Sequence, residues 1–354
     1  MLVFNGGTLA NKRRFGIQRY TLELLKQLDN RVKPNEVCLV IPRRHSEALC
    51  FSNIRIIELP GSTDGLLGKI KWNHFTFPRF AKRNGIGVDL LLALPLPGCD
   101  VVCIHDCITE LFPENRKGIK GALSRQFYMC KVRRALKTSS IVLSVSHSAA
   151  RDISRYYAIP EKSIRVVPNG WQHMLQIKQD NTILSRLGLN AGEYFFALGS
   201  RYAHKNFQWI TEAAVQNPHE SFVVTGTSSF SKNDGADDSG DIPNVIFTGY
   251  LTDEEIKALM VSCRAFIQPS FNEGFGIPPL EAMSVGADCI VSDIPVFHEI
   301  YGESVWYFDP HSYGDIDVDS ILSDLRPTPA TSVLQKYSWE KSATVLLEEL
   351  RRIG

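Results

Sequence analysis

Ala265-Phe266-Ile267-Gln268-Pro269-Ser270-Phe271-Asn272-Glu273-Gly274-Phe275-Gly276-Ile277-Pro278-Pro279-Leu280-Glu281-Ala282-Met283 reads as a strand, a punctuated loop and a helix. The apolar run ends at Pro269, glycines follow, and Pro278 or Pro279 opens the helix, where the first N–H groups have no intrahelical partner anyway. A strand feeding a helix through a short loop is half of a βαβ unit. The same rhythm runs outward in both directions. Tyr194–Gly199, Ser221–Gly226, Val245–Gly249 and Asp288–Ser292 read as further strands around it. Val37–Ile41, Leu90–Leu94, Val101–His105 and Ser140–Val145 form an earlier series, with helical stretches such as Ile17 to Leu28 between them. Strands alternating with helices predict an α/β chain of two doubly wound parallel sheets.

Length agrees, since 354 residues exceed one ordinary core and suit two domains. Val166-Val167-Pro168-Asn169-Gly170 closes the first series, and a polar stretch through Asn181 leads to the second. The expected division is 1–178, 179–335 and a terminal helix over 336–354. Ser228 to Gly240, rich in Ser, Asp and Gly, reads as a mobile loop. With 44% apolar and 22% charged residues the chain is neither disordered nor collagenous. No apolar run reaches the length of a spanning helix, and Met1-Leu2-Val3-Phe4 has no signal-peptide flank. Eight scattered cysteines then suit a reducing, cytoplasmic location, and Cys103-x3-Cys107 alone is half a zinc site.

Charge is divided unevenly. Residues 1–178 hold 28 Lys and Arg against 13 Asp and Glu, a balance of +15, and the remainder holds 11 against 25, or −14. A basic half implies an anionic partner. The cations concentrate in Lys69 to Arg83 and Arg116 to Lys137, mixed with apolar residues. The second stretch fits either a basic amphipathic helix on an anionic bilayer or a core helix with a solvated basic face. Nucleic acid is not expected, because no zinc-finger spacing, RNP-like motif or basic zipper organises base contacts.

The loop of the opening stretch carries the chemistry. Backbone amides before a helix favour an anion, and Gly274 and Gly276 let the main chain approach it. Glu273 and Glu281, eight positions apart, can accept hydrogen bonds from sugar hydroxyls. Gly199-Ser200-Arg201-Tyr202-Ala203-His204-Lys205-Asn206 follows the first strand of the same sheet, so Arg201 and Lys205 stand at a strand's carboxyl end as countercharge for a diphosphate. No Asp-x-Asp element is placed to hold a divalent ion, so no metal is expected.

With these residues the chain resembles the retaining, GT-B-fold glycosyltransferases of glycosyltransferase family four, in particular the mannosyl- and glucosyltransferases of bacterial polysaccharide assembly. The resemblance spans nearly the whole chain. It rests on the E-x7-E pattern Glu273 to Glu281, on Val-Val-Pro-Asn-Gly at 166–170, on Phe-Thr-Gly-Tyr-Leu-Thr-Asp-Glu-Glu at 247–255 and on Tyr337-Ser338-Trp339-Glu340-Lys341-Ser342-Ala343. It implies two Rossmann-like domains facing a cleft, the final helix packing back towards the first domain. Glu273 would hold the transferred hexose, Glu281 the ribose, Arg201 with Lys205 the diphosphate, and amides around Phe275 and Gly276 the sugar phosphate. Gly199 and Tyr250 would join the donor site. His105 matches the family's active-site histidine. Asn5-Gly6-Gly7 and Gly16-Ile17-Gln18-Arg19-Tyr20 match the first loop and helix start, with Gly7 and Gly16 near the donor. Lys12, Arg13 and Arg14 make that loop basic enough to meet an anionic acceptor.

The resemblance further implies a nucleotide-sugar donor as substrate with no cofactor, GDP-mannose leading over UDP-hexoses and dTDP-rhamnose. It implies a lipid-diphosphate-linked sugar acceptor and peripheral association with an anionic inner-membrane surface. A sugar-nucleotide epimerase of the same fold and a non-catalytic nucleotide-sugar-binding protein are the alternatives.

Overall fold

The computed structural model describes residues 1–9, 16–43, 49–93, 99–199, 202–226 and 242–353. The expected loop over 228–240, Arg201, and Lys12, Arg13 and Arg14 lie outside the described residues. The chain forms two compact units, Met1–Gly170 with Tyr337–Gly354, and Trp171–Lys336.

In the first unit seven strands make one sheet: β1 (Leu2–Asn5), β2 (Val37–Pro42), β3 (Arg55–Leu59), β4 (Ile86–Asp89), β5 (Val101–Cys103), β6 (Ile141–Ser144) and β7 (Ile164–Val166). Their order is β3-β2-β1-β4-β5-β6-β7, and all pairings are parallel. Val3, Cys38, Val40, Trp72, Phe77 and Ala81 form one buried cluster, and Val102, Ile104, Val132, Val142 and Ile153 belong to another. The near-continuous burial of β1, β2, β4, β5 and β6 is what a parallel sheet covered by helices requires, and the two edge strands β3 and β7 are more exposed.

Three strands of this unit, β1, β3 and β7, of three to five residues, were not among those the periodicity picked out, and neither was the strand Trp306–Phe308 of the second unit. One was displaced. The Leu90–Leu94 run is not a strand over its described residues, because Leu92 has a left-handed φ of 54°. The strand is Ile86–Asp89 just before it, where Gly87 interrupts the apolar pattern.

The second unit holds β8 (Tyr194–Ala197), β9 (Ser221–Val224), β10 (Val245–Phe247), β11 (Ala265–Gln268), β12 (Cys289–Ser292) and β13 (Trp306–Phe308), in the order β10-β9-β8-β11-β12-β13, again all parallel. Its core includes Phe195 stacked on Phe222 and Trp209 stacked on Phe308.

The units divide at Gly170 rather than near 178. Residues 171–178 lie in the second unit, where Lys257 Nζ donates to the carbonyls of Met174 at 2.7 Å and Ile177 at 2.8 Å. The terminal helix Trp339–Arg351 lies in the first unit. Ser338 caps it by accepting from Lys341 N, Trp339 meets Tyr20 edge-on, and Glu340 receives Arg31 at 3.0 Å. These contacts hold it against the helix Gly16–Asp29.

Candidate active site

In an open parallel sheet, ligands bind beyond the carboxyl ends of the strands where the strand order reverses. In the second unit that point lies between β8 and β11. The loop after β8 carries Lys205, and the loop after β11 carries Glu273. Backbone stitches the two loops together, Phe271 N donating to His204 O at 2.8 Å.

Glu273 is buried at the join. Its Oε1 accepts from Lys205 Nζ at 2.6 Å, Ser270 Oγ at 2.7 Å and Gln268 Nε2 at 3.0 Å. Burial alone would push its carboxyl pKa up. Lys205, helped by His204 and by the hydrogen bonds from Lys205 and Ser270, outweighs burial and holds it below the ordinary range. Glu273 is therefore an anion at neutral pH with a cation against one oxygen. His204 beside it is pushed down to about 4, first by burial and then by Lys205, with Glu273 opposing. The imidazole is neutral and stacks on Tyr202.

Gly276 begins the helix Ile277–Ser284, with Pro278 and Pro279 in its first turn. Its φ of 91° lies in the left-handed region, and a Cβ there would stand 2.6 Å from Phe297 Cε1, so both backbone and space demand glycine. Tyr301 OH donates to the Gly276 carbonyl, and Phe275 is buried, so the loop before the helix is held from two sides. Glu281, in the same helix, meets His173 Nε2 at 2.7 Å.

The first unit has its own reversal point between β1 and β4. Asn5 closes β1 and Asp89 closes β4, and Asn5 Nδ2 donates to Asp89 Oδ1 at 3.3 Å. Asn5 Oδ1 accepts from Trp72 Nε1 at 2.9 Å and from Gly7 N at 3.1 Å. A Cβ on Gly7 would sit 2.5 Å from Trp72 Nε1, which is why this turn needs glycine.

His105 lies two residues beyond β5, buried edge-on against Tyr20 with ring centroids 4.9 Å apart. Its Nε2 is 2.9 Å from the Leu90 carbonyl, an acceptor, so Nε2 carries the proton and Nδ1 is the ring's acceptor. Burial pushes its pKa down to about 4, against the pull of Leu90. An unfolded imidazole titrates near ~6.5, so the folded form binds its proton less readily than the unfolded chain. The stability this group contributes is whole above that value and is lost as pH falls towards 4. Over that window the urea stability of the protein should fall about 1.4 kcal/mol per pH unit more steeply than that of His105→Gln. Equal slopes for the two proteins would remove this account of His105.

The structure gathers Lys205, Glu273, Gly276 and Glu281 in one unit and places His105, Gly7 and Gly16 in the other. Gly199 stands just beyond β8, but its N–H is spent on Thr225 Oγ1 at 2.9 Å and does not face a ligand as a free donor. Tyr250 is exposed after β10, the far edge of the sheet, two strands from β8. Two overlapping Asp-x-Asp runs do occur, Asp315-Ile316-Asp317 and Asp317-Val318-Asp319, and their shared member is occupied: Asp317 Oδ1 caps the helix Val318–Ser323, accepting from Asp319 N and Ser320 N. Glu220 and Asp319, close enough with His219 to share a cation, are both engaged by Arg264.

Sequence reading missed Ser270, Gln268 and His173. Ser270 and Gln268 flank Glu273 at three and five residues and could have been suspected. His173 lies 108 positions from Glu281, and no local pattern points to it.

The sequence model of Glycosyltransferase Family 4 matches residues 16–172, and that of Glycosyl transferases group 1 matches residues 181–324. Among curated proteins, the serotype-specific mannosyltransferase WbdA of Escherichia coli is 26% identical over 73% of this chain and 34% of its own length. The O-antigen chain mannosyltransferase RfbU of Salmonella typhimurium is 27% identical over 61% of this chain and 58% of its own. The chain thus spans about a third of the first relative and under two thirds of the second. Sucrose-phosphate synthase from Thermosynechococcus elongatus superposes with a TM-score of 0.75 at 15% identity, covering 99% of this chain and 98% of the other. Anabaena HepE in complex with UDP and glucose gives 0.69 at 14% identity, covering 99% of each chain. At such identities these structures establish the fold, which is GT-B: two Rossmann-like parallel-sheet domains. Carrying both matched domains on that fold, the chain belongs to the glycosyltransferases that join a family 4 domain to a group 1 domain.

Proposed function

We propose that the protein transfers a hexosyl group, mannose from GDP-mannose, to a hydroxyl of a lipid-diphosphate-linked sugar during assembly of a cell-surface polysaccharide, retaining anomeric configuration without a metal ion. The observation that carries this reading is the Lys205–Glu273 pair, 2.6 Å apart where the strand order reverses. One member suits a departing phosphate and the other a sugar's hydroxyls. The mannosyltransferase relatives support mannose as the sugar.

Breaking the bond between anomeric carbon and phosphate oxygen sends its electron pair to the nucleotide diphosphate and leaves positive charge on the sugar. Donors fixed beforehand at the phosphate favour that transition state over the ground state. Lys205, Arg201 and the amides leading to Gly276 are assigned this role. Glu273 accepts from hexose hydroxyls, Glu281 from the ribose, and its partner His173 fixes the orientation of the Glu281 carboxylate. The acceptor hydroxyl forms the new bond on the face the phosphate leaves, and its proton passes to a phosphate oxygen. No protein nucleophile takes part. His105, neutral with Nδ1 as its acceptor atom, is assigned to a hexose hydroxyl.

The protein, incubated with GDP-mannose, UDP-glucose, UDP-galactose or dTDP-rhamnose and a bacterial membrane lipid extract, should release GDP at least tenfold faster than the other nucleotides. Release should require the extract. Release of another diphosphate in preference would replace the donor. An epimerised donor without transfer, or donor binding with no product, would overturn glycosyl transfer itself.

A further inference from the structure

Lys205 is followed by a residue to which no chemistry has been assigned. The lysine ends the 3-10 turn Ala203–Lys205, and the next residue, Asn206, has φ 49° and ψ 48°, in the left-handed region. A residue other than glycine keeps that conformation where its surroundings fix it, and such positions gather at working sites. Asn206 is also the N-cap of the helix Phe207–Gln216. Asparagine is favoured at an N-cap because its side chain can accept from the free N–H groups of the first turn. Here it makes no such bond. The buried side chain turns instead to a segment far along the chain. Nδ2 donates to the Pro310 carbonyl at 2.8 Å, and Oδ1 accepts from Tyr313 OH at 2.9 Å. A proline carbonyl can only accept, so the amide has one orientation.

The segment that receives Asn206 follows β13, the edge strand, two strands from β11. It is itself tied down. Gln216 Nε2 donates to the Tyr313 carbonyl at 2.8 Å, and Gln216 Oε1 accepts from Ile316 N at 2.9 Å. The segment is thereby strapped to both ends of the helix Phe207–Gln216, whose Trp209 and Ile210 lie in the core. It also reaches the loop after β11, where the His311 ring stacks on Phe271 with centroids 4.8 Å apart. Phe271 N in turn holds the His204 carbonyl. Lys205 is therefore gripped through both neighbours, His204 by way of Phe271 and Asn206 by way of Pro310 and Tyr313. Capping alone would have spent the Asn206 side chain on its own helix, and a left-handed turn alone would accept glycine. A bridge to another loop does something further: it sets the direction in which the turn presents the lysine. The side chain of lysine is long and flexible, so keeping Nζ at 2.6 Å from Glu273 depends on where its backbone is held.

We infer that Asn206, locked by Pro310 and Tyr313, is the positioning residue of Lys205, an assignment that rests on the phosphate role proposed above for that lysine. Asn206→Gly keeps the left-handed backbone and deletes both side-chain bonds. Tyr313→Phe deletes one hydroxyl and keeps the ring and the carbonyl that Gln216 holds. With GDP-mannose and the membrane lipid extract, kcat/KM should fall about thirtyfold in the first variant and about fivefold in the second, mainly in kcat, because the displaced group acts on the departing phosphate. In Lys205→Ala/Asn206→Gly the second substitution should add less than about twofold to the loss from Lys205→Ala, since Asn206 acts through the lysine. Trace acetylation with acetic anhydride, read by peptide mass spectrometry without any donor, reports the lysine's placement directly. Relative to Lys178, an exposed lysine of the same unit, Lys205 should be labelled about threefold faster in Asn206→Gly, as it spends more time away from Glu273. The rise should be smaller in Tyr313→Phe. Circular dichroism should match the parent, and if Asn206→Gly departs from it, Tyr313→Phe carries the same comparison. Parental labelling of Lys205 in the folded variants, or losses that multiply in the double variant, would overturn the inference. Near-parental activity of Lys205→Ala would instead remove the proposed role of the lysine, and labelling would still decide whether Asn206 places it.

Discussion

Glu273→Gln is expected to lower kcat/KM for the nucleotide sugar by about three powers of ten, with the loss falling mainly in kcat. The substitution keeps the volume of the side chain and removes its charge. The wild-type carboxylate gathers three donors, from Lys205, Ser270 and Gln268, on Oε1 alone. Its ionised state is maintained by Lys205 against burial. A carboxylate so held can accept from hydroxyls of a hexose and strengthen those bonds as positive charge grows on the ring, whereas a neutral amide offers one acceptor and adds two donors to a site already rich in them. Lys205, about a quarter exposed, can turn to water when its partner is lost, so stability should fall by only about 1 to 2 kcal/mol. Initial rates with saturating acceptor, beside a urea denaturation curve, measure both effects. Activity within tenfold of the parent would show that Glu273 is structural.

Lys205→Ala should cost between about two and four powers of ten in kcat/KM. Two effects combine. The departing diphosphate loses a countercharge, and Glu273, still buried, loses the cation that holds its pKa down. Desolvation then dominates, and the carboxyl pKa rises. The acid limb of the kcat/KM profile should therefore move to higher pH in the variant, a change that a purely structural role for Lys205 would not produce. Because the two residues share one interaction, Lys205→Ala/Glu273→Gln should lose less than the product of the single losses. Near-parental activity, or strictly multiplicative losses, would separate the pair and remove the basis of the site.

Much of the fold was legible because parallel sheets write themselves as buried apolar runs. Ala265–Gln268 and Tyr194–Ala197 are fully buried, and Pro269 and Gly199 punctuate the chain after them, so these strands and where they stop could be read. Ile86–Asp89 was not, since Gly87 breaks its pattern and the leucines after it form the more apolar run. Ile164–Val166 has an exposed arginine in its middle, and so short a strand owes its place to its neighbour rather than to its own residues.

Sequence by itself determined the class of the fold, the strand–loop–helix that carries Glu273, Gly276 and Glu281, and the uneven charge of the two halves. These rest on local propensity and on spacing along one element, which neighbours in the chain decide. Tertiary structure alone decided that β8 lies beside β11, bringing Lys205 to Glu273 across 68 positions, that His173 reaches Glu281 across 108, and that Ile119, Leu123 and Phe127 of the helix Gly118–Thr138 face water. Pairings of that kind depend on the order of strands in a sheet and on which helix face the core accepts. Both are set by packing of the whole unit, and no stretch of a dozen residues contains them.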